Sequence, residues 1–435
     1  MTPVIRQKMS LRFTARLFGS TCFAVLSAAT AFGAGNDSTL GPSGIPWLAP
    51  VSVAPAPPNP AATAGKQSSA VKSTGKGDIK VTERLHWWSV GGPAYRWNEI
   101  ILDAIQDSFV VLPMAARHLA LFHAALDDAV AHARKHKSPS GASEYAATAV
   151  AASLVLSHLF PAQSESFAKK AEEVIKVRSL AGVDTVEAIG AGKAYGREVA
   201  AVAIERAKTD GSDAKWTGTV PEGPGNWKGT NPIAPLAGTW RPWVLSSTSE
   251  LRPSAPPSFD SDQVKAALGE LKSFARSPKT NHRAVYWEVH GGARAHTLWN
   301  EIARAKLLEY GAGASDGARV LAALNVALAD AGTACWDAKY TFWYIRPPQL
   351  DPEVKSLFPA PNHPSYPAAH GCYSTAAATV LAAVFPQDRE RLLALGKEAA
   401  EARVWAGIHY RFDIEAGQMI GEKVGKKVLD RALPQ

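Results

Sequence analysis

The four residues Trp97-Asn98-Glu99-Ile100 recur as Trp299-Asn300-Glu301-Ile302, 202 positions further along. Without a gap, the same shift lays Leu126, Asp128, Ala129 and Lys137 over Leu328, Asp330, Ala331 and Lys339. After an insertion of 23 residues the shift becomes 225, and Phe160-Pro161 then meets Phe385-Pro386 while Arg178 meets Arg403. Gly192, Gly196, Val199 and Arg206-Ala207 likewise meet Gly417, Gly421, Val424 and Arg431-Ala432. Ungapped agreement over such spans points to an internal duplication, so the chain is expected to fold as two related units packed together.

Those units read as helical. Ala, Leu, Glu, Lys and Arg dominate long segments, and β-branched alternation is scarce. Helices are expected over roughly 93–110, 113–136, 142–159, 162–178 and 184–209, then over 262–276, 296–311, 316–346, 368–385, 387–404 and 412–432. In the last of these, Phe412, Ala416, Ile420, Val424, Val428 and Ala432 form one apolar stripe. The expected fold is all-α: a first helical bundle over 79–215, a Pro/Gly/Trp-rich crossover over 216–260, and a second bundle over 261–435.

The N-terminus differs in kind. Arg6, Lys8, Arg12 and Arg16 precede an apolar run from Leu17 to Ala34 that ends in small residues, the pattern of a secretory signal over 1–34. Residues 35–78, rich in Pro, Ala and Gly, read as a flexible segment. No later stretch approaches about 18 uninterrupted apolar residues, which excludes a polytopic membrane protein. The chain has 47 Lys and Arg against 39 Asp and Glu; four of the eight surplus cations lie in the first 16 residues. The remaining balance and the absence of a basic stripe exclude nucleic acid as a partner. Periplasmic or secreted export is expected. Cys22 falls in the signal segment, leaving Cys335 and Cys372 either to pair in an oxidising compartment or to lie buried as thiols.

The residues suited to chemistry lie in the second half. Lys339 and Arg346 are seven apart, two helical turns, within the aromatic segment Lys-Tyr-Thr-Phe-Trp-Tyr-Ile-Arg. On that spacing both project from one face, with Pro347-Pro348 ending the helix and leaving the guanidinium at its mouth. Two cations in apolar surroundings call for an anion. Pro367-Ala368-Ala369-His370 opens an Ala-rich helix, placing His370 in its first turn beside free backbone amides, including that of Ala369. Arg403, His409 and Asp413 follow; a helix starting near His409 brings the Asp413 carboxylate to its imidazole.

In order, K-x6-R-P, P-A-A-H and R-x5-H-x3-D resemble the vanadium-dependent haloperoxidase and type-2 phosphatidic acid phosphatase superfamily, over residues 339–413. The wider layout resembles the secreted bacterial haloperoxidases, helical proteins built of two related bundles. The resemblance implies a shared oxyanion pocket. Lys339, Arg346, Arg403 and the Ala369 amide would hold the equatorial oxygens of vanadate or phosphate. His409 would be the axial ligand to vanadium, or the phosphoryl-accepting nucleophile. Asp413 would orient it, and His370 would serve as acid and base. The implied cofactor is vanadate, and the implied partners are small molecules: hydrogen peroxide and halide, or a phosphoester. Where the family commonly has Pro-Ser-Gly-His, this chain has Ala368 and Ala369, so a hydroxyl donor to the oxyanion is missing. Three functions stand: a haloperoxidase first, a soluble phosphomonoesterase second, and a non-catalytic oxyanion-binding protein third.

The first half serves as a control. Lys137 and Arg178 match Lys339 and Arg403, but Asp184 stands where His409 would be and Ala149 near His370, so this half is expected to be inactive support. His132 and His136 read as a solvated helix end rather than a zinc site. His290, His296 and His363 are expected near the pocket, His363 closest to it.

Overall fold

The computed structural model describes residues 46–48, 76–136, 139–291 and 295–432, all within one compact unit. The proposed signal segment and most of the Pro-rich segment lie outside the described residues, as does Lys137. The described residues form fourteen α-helices and no strand beyond one isolated bridge, Asn226 to Tyr344. Before the crossover come α1 (Lys76–Ser89), α2 (Tyr95–Asp107), α3 (Leu112–Arg134), α4 (Glu144–Leu159), α5 (Ser164–Leu180) and α6 (Val186–Thr209). After it come α7 (Asp262–Ser273), α8 (Pro278–Gly291), α9 (Ala295–Glu309), α10 (Ala314–Phe342), α11 (Pro347–Leu350), α12 (Ala369–Val384), α13 (Arg389–Trp405) and α14 (Arg411–Ala432).

The core is built from small residues. The middle of α10 and most of α3 are buried Ala, Leu and Val, and the two helices pack against one another. A window of α10 within Asp316–Phe342 is apolar enough to cross a membrane, and all of it is buried in protein. At the same junction Asn98 donates to Asn300 (2.7 Å), which exchanges hydrogen bonds with Asn325 (2.8 and 2.9 Å). Two helix pairs approach until backbones touch. A Cβ on Gly192 or Gly196 of α6 would lie 2.4 Å from the Ser143 or Ala147 carbonyl oxygen beside it. A Cβ on Gly417 or Gly421 of α14 would lie 2.5 Å from those of Ala368 and Cys372 on α12. Only glycine permits either approach.

Four sequence expectations change. Helix α1 starts at Lys76, inside the segment read as flexible to residue 78; Arg84 ties it to Glu173 at 2.5 Å and stacks on Trp87 at 4.5 Å. Helix α8 was not expected at all, because its sequence PKTNHRAVYWEVHG is polar around most of its surface and fully buries only Ala284 and Trp287. Helix α10 ends at Phe342, four residues short of Arg346, where Trp343 takes a left-handed conformation (φ 47°). Tertiary packing overrides the helix there: Trp343 lies between Trp216 and Trp227, and Ile345 donates to the Gly225 carbonyl at 2.9 Å. Finally Trp47 and Leu48, in the Pro-rich segment, are each only 5% exposed.

Candidate active site

The structure gathers Lys339, Arg346, Ala369, His370, Arg403, His409 and Asp413 into one buried cluster; the most exposed of them, His370, is 7% accessible. Lys339 and Arg346 do not share a helix face, since α10 has already ended. Lys339 reaches from α10 under the loop before α12 and donates to the carbonyls of Pro364 (2.8 Å), Ser365 (2.9 Å) and Pro367 (2.5 Å). Arg346 enters from the N-cap of α11, so Pro347 and Pro348 begin a helix rather than end one. Its guanidinium donates to the carbonyls of His363 (3.0 Å) and Ile408 (2.9 Å) and approaches His409 Nε2 at 3.2 Å.

His409 lies just before α14 and Asp413 in its first turn, their Nδ1 and Oδ2 2.8 Å apart. A guanidinium only donates, so Nε2 of His409 accepts and the ring proton sits on Nδ1, directed at the carboxylate. The imidazole therefore directs its Nε2 lone pair at the Arg346 guanidinium. Asp413 also accepts from Ser365 Oγ (2.5 Å) and the Tyr410 amide (3.2 Å), and its own carbonyl accepts from the Ala368 amide (2.9 Å). That last bond joins the start of α14 to the start of α12. Ala369 is the first residue of α12, so its N–H has no intrahelical acceptor.

His370 Nε2 lies 3.0 Å from the Trp287 carbonyl, to which it donates, and 3.3 Å from Arg403 Nη1. Arg403 extends from α13, pairs with Glu288 at 2.6 Å and lies over the Phe358 ring at 5.1 Å. Trp287 and Glu288 belong to α8, so the helix that the sequence did not reveal closes this side of the cluster.

Burial sets the charges. It pushes Lys339 down to about 8 and Arg346 down to about 10, and lowers Arg403. The imidazoles of His363, His370 and His409 are held well below 6.5, by burial first and by the neighbouring cations second. Asp413 is raised to about 6 by burial, against the pull of Ser365 and Lys339. Lys339 and Arg346 thus face neutral histidines and the Asp413 carboxylate, while Arg403 has Glu288 as its counter-ion, and the surplus positive charge favours an anion. Arg403 Nε and Asp413 Oδ1 are buried without a hydrogen-bond partner. This set fits a tetrahedral oxyanion: two guanidiniums and a helix N-terminus as donors, an accepting imidazole nitrogen, and the charge of an ammonium whose three donors are taken by the Pro364, Ser365 and Pro367 carbonyls.

Of the other histidines, His363 lies in the cluster, bonded to Arg346 (3.2 Å) and packed on Trp336 (5.3 Å). His290 is exposed beside Tyr286, and His296 bonds to the Leu112 carbonyl away from the cluster. No metal-binding group of His, Cys, Asp and Glu occurs among the described residues. Cys335 and Cys372 are buried free thiols, so the alternative of a disulfide bracing the cluster is set aside. Sequence reading missed Ser365, Trp287 and Glu288. Ser365 sits in a proline-rich loop with no spacing to mark it, and the other two lie on α8.

The first half differs. At the shift of 225, Ser143, Tyr145, Arg178 and Asp184 correspond to Ala368, His370, Arg403 and His409; the residue opposite His370 is therefore Tyr145, not Ala149. Arg178 lies over the Tyr145 ring (3.9 Å) and makes a two-pronged pair with Asp184 (2.6 and 3.1 Å), which also accepts from Ser143 (2.5 Å).

Residues 320–428 match the PAP2 superfamily. Two non-specific acid phosphatases are locally similar: that of Salmonella typhi is 39% identical over 57 residues, and that of Salmonella typhimurium 37% over the same length. Each stretch is 13% of this chain and 23% of the phosphatase. The whole fold is similar to that of the first bacterial vanadium-dependent iodoperoxidase, with TM-score 0.65 and 22% identity over 77% of this chain and 96% of that one. It is also similar to a bacterial vanadium-dependent chloroperoxidase in its holo form, with TM-score 0.59 and 16% identity over 74% and 92%. Residues 320–428 thus match the PAP2 superfamily, and over 77% and 74% of its length the chain shares the helical fold of these two bacterial vanadium-dependent haloperoxidases.

Proposed function

We propose that this chain is an exported vanadium-dependent haloperoxidase, oxidising halide with hydrogen peroxide. The observation that carries this reading is the buried cluster of Lys339, Arg346 and Arg403, in which Arg346 is directed at the accepting Nε2 of His409. The likeness to the iodoperoxidase fold, over nearly all of that protein, supports it. Lys339, Arg346, Arg403 and the Ala369 amide would hold the oxygens of vanadate, and His409 Nε2 would bind its vanadium. Vanadate supplies the Lewis acid that activates peroxide toward halide. Asp413 fixes the His409 tautomer, so that Nε2 keeps its lone pair. His370, in the first turn of α12, holds a proton at Nε2 that a substrate oxygen can take in place of the Trp287 carbonyl.

A second reading is a phosphomonoesterase, favoured by the local match to the Salmonella acid phosphatases. His409 Nε2 would attack phosphorus as the ester P–O bond breaks and His370 protonates the departing alkoxide. Water would then hydrolyse the phosphohistidine, returning a proton to His370 and releasing phosphate. Both readings use one pocket, because five-coordinate vanadate has the shape and charge of a phosphoryl-transfer transition state.

The deciding experiment assays bromination of a dione with peroxide, alongside phosphoester hydrolysis, with and without orthovanadate. Vanadate-dependent bromination supports the peroxidase. Hydrolysis without vanadate, suppressed by adding it, supports the phosphatase, and neither activity removes both. Ala368 supplies a graded check. Ala368→Ser restores a hydroxyl at the N-cap of α12, where one more hydrogen bond to an oxyanion contributes about 1 kcal/mol. The expected result is roughly fivefold tighter phosphate binding by calorimetry; unchanged binding would place the anion elsewhere.

A further inference from the structure

Pro46-Trp47-Leu48 is seated on the bundle by a set of polar contacts of its own. The Trp47 and Leu48 amides donate to the two oxygens of Asp128 (3.0 and 2.8 Å). The Trp47 indole donates to Asp127 (2.8 Å), which also pairs with Arg319 (2.6 Å). Arg431, in the last turn of α14, donates to the Pro46 carbonyl (2.7 Å), and the guanidiniums of Arg319 and Arg431 each lie 5.4 Å from the Trp47 ring.

A second tripeptide, Pro242-Trp243-Val244, is held in the same way. The Trp243 and Val244 amides donate to the two oxygens of Asp330 (2.8 and 2.7 Å). Arg206, in the last turn of α6, donates to the Pro242 carbonyl (2.9 Å) and stacks on Trp243 (3.8 Å). Asp128 and Asp330 are 202 apart, and Arg206 and Arg431 are 225 apart, the two shifts at which the sequence repeats. Each tripeptide precedes one half, is gripped by the aspartate of that half, and is clamped by the arginine that ends the other. Such reciprocity is the arrangement of a two-fold interface.

We propose that Asp127, Asp128, Arg319 and Arg431 form a recognition groove for a Pro-Trp-aliphatic segment, filled by residues 46–48 of the same chain. The segment read as spacer thus carries a latch that joins the beginning of the first half to the end of the second. Twenty-seven residues, 49–75, lie between the latch and α1 in the sequence. The latch is held through its own hydrogen bonds and ring contacts with the groove, so a free peptide of the same sequence should compete for it. Export processing must leave Pro46 on the chain, as cleavage near residue 34 would.

The test uses the full chain with Pro46, Trp47 and Leu48 all changed to alanine, together with a capped peptide of residues 44–50. The variant is expected to bind the peptide one to one by calorimetry and to regain melting temperature with it. Wild type, its groove already filled, should bind at least about tenfold more weakly, and adding Asp128→Asn to the variant should remove binding. Equal binding to all three proteins, or to none, overturns the groove. Hydrogen exchange on wild type covers a variant that fails to fold: the Trp47 and Leu48 amides should exchange at least about a hundredfold more slowly than in the free peptide. Free-peptide exchange rates overturn the proposal. Protection lost on dilution overturns occupation by the chain's own segment and assigns the groove to a second copy.

Discussion

Replacing His409 with alanine is expected to lower kcat/KM at least about a thousandfold, in whichever of the two assays wild type is active. The substitution deletes the nitrogen whose lone pair faces Arg346 at 3.2 Å. The fold should survive, because Asp413 keeps Ser365 Oγ and the Tyr410 amide as donors. Phosphate binding should weaken less than about tenfold, since the three cations and the Ala369 amide remain. Asp413→Asn keeps the nitrogen but removes the charge that fixes its tautomer, and should cost about 10- to 100-fold. A His409→Ala protein that melts normally and retains activity would sink the assignment. Lost activity with intact phosphate binding would separate the chemical role from the electrostatic one.

The second large effect is on stability against pH. Burial holds His118 and His123 down to about 3 and His296 to about 4, and keeps His363, His370 and His409 well below 6.5. In the unfolded chain all six titrate near 6.5. As pH falls through 6.5 the unfolded state binds protons that the folded state refuses, so stability is lost. Four buried aspartates oppose this, Asp127 among them, raised by burial. Asp330 and Asp413 are raised to about 6 and Asp128 to about 7, so the folded state takes up their protons first and gains stability as pH falls toward 4. Each group is worth about 1.4 kcal/mol per pH unit in its active window. Six histidines against four aspartates leave a net loss of about 3 kcal/mol per unit between pH 6 and 5. The melting temperature in phosphate-free buffer should therefore drop by about 5–10 °C over that unit. A flat or rising curve would show that these histidines are protonated in the folded state.

The helical architecture was legible because its signals are local. The α14 stripe from Phe412 to Ala432 is buried at every fourth residue, and the Ala-rich runs fill the core. The cluster was legible as an ordered set of residue types, while one reason given for it failed: Lys339 and Arg346 are brought together by a chain reversal at Trp343, not by helical spacing. That reversal depends on residues 225–227, remote in sequence, and no window around Trp343 contains them. Glu288 and Trp287 were invisible for a related reason. Their helix buries too little to produce a period, and it owes its place to Arg403, His370 and Glu398 on other helices. The latch was missed because composition was read over forty residues, whereas its information sits in three.

The Arg178–Asp184 pair in the first half has a consequence for what the molecule can sense. A guanidinium whose counter-ion is attached to the same chain has an energy that does not respond to the composition of the medium. Lys339 and Arg346 are instead hydrogen-bonded to carbonyls and imidazoles. An anion taken up from solution by such a set adds RT ln(1 + [L]/Kd) to folding stability, about 2.7 kcal/mol at a hundredfold excess over Kd. One half of the chain is thus thermodynamically closed. Under the proposed function, the other would have a stability that reports the concentration of a solute.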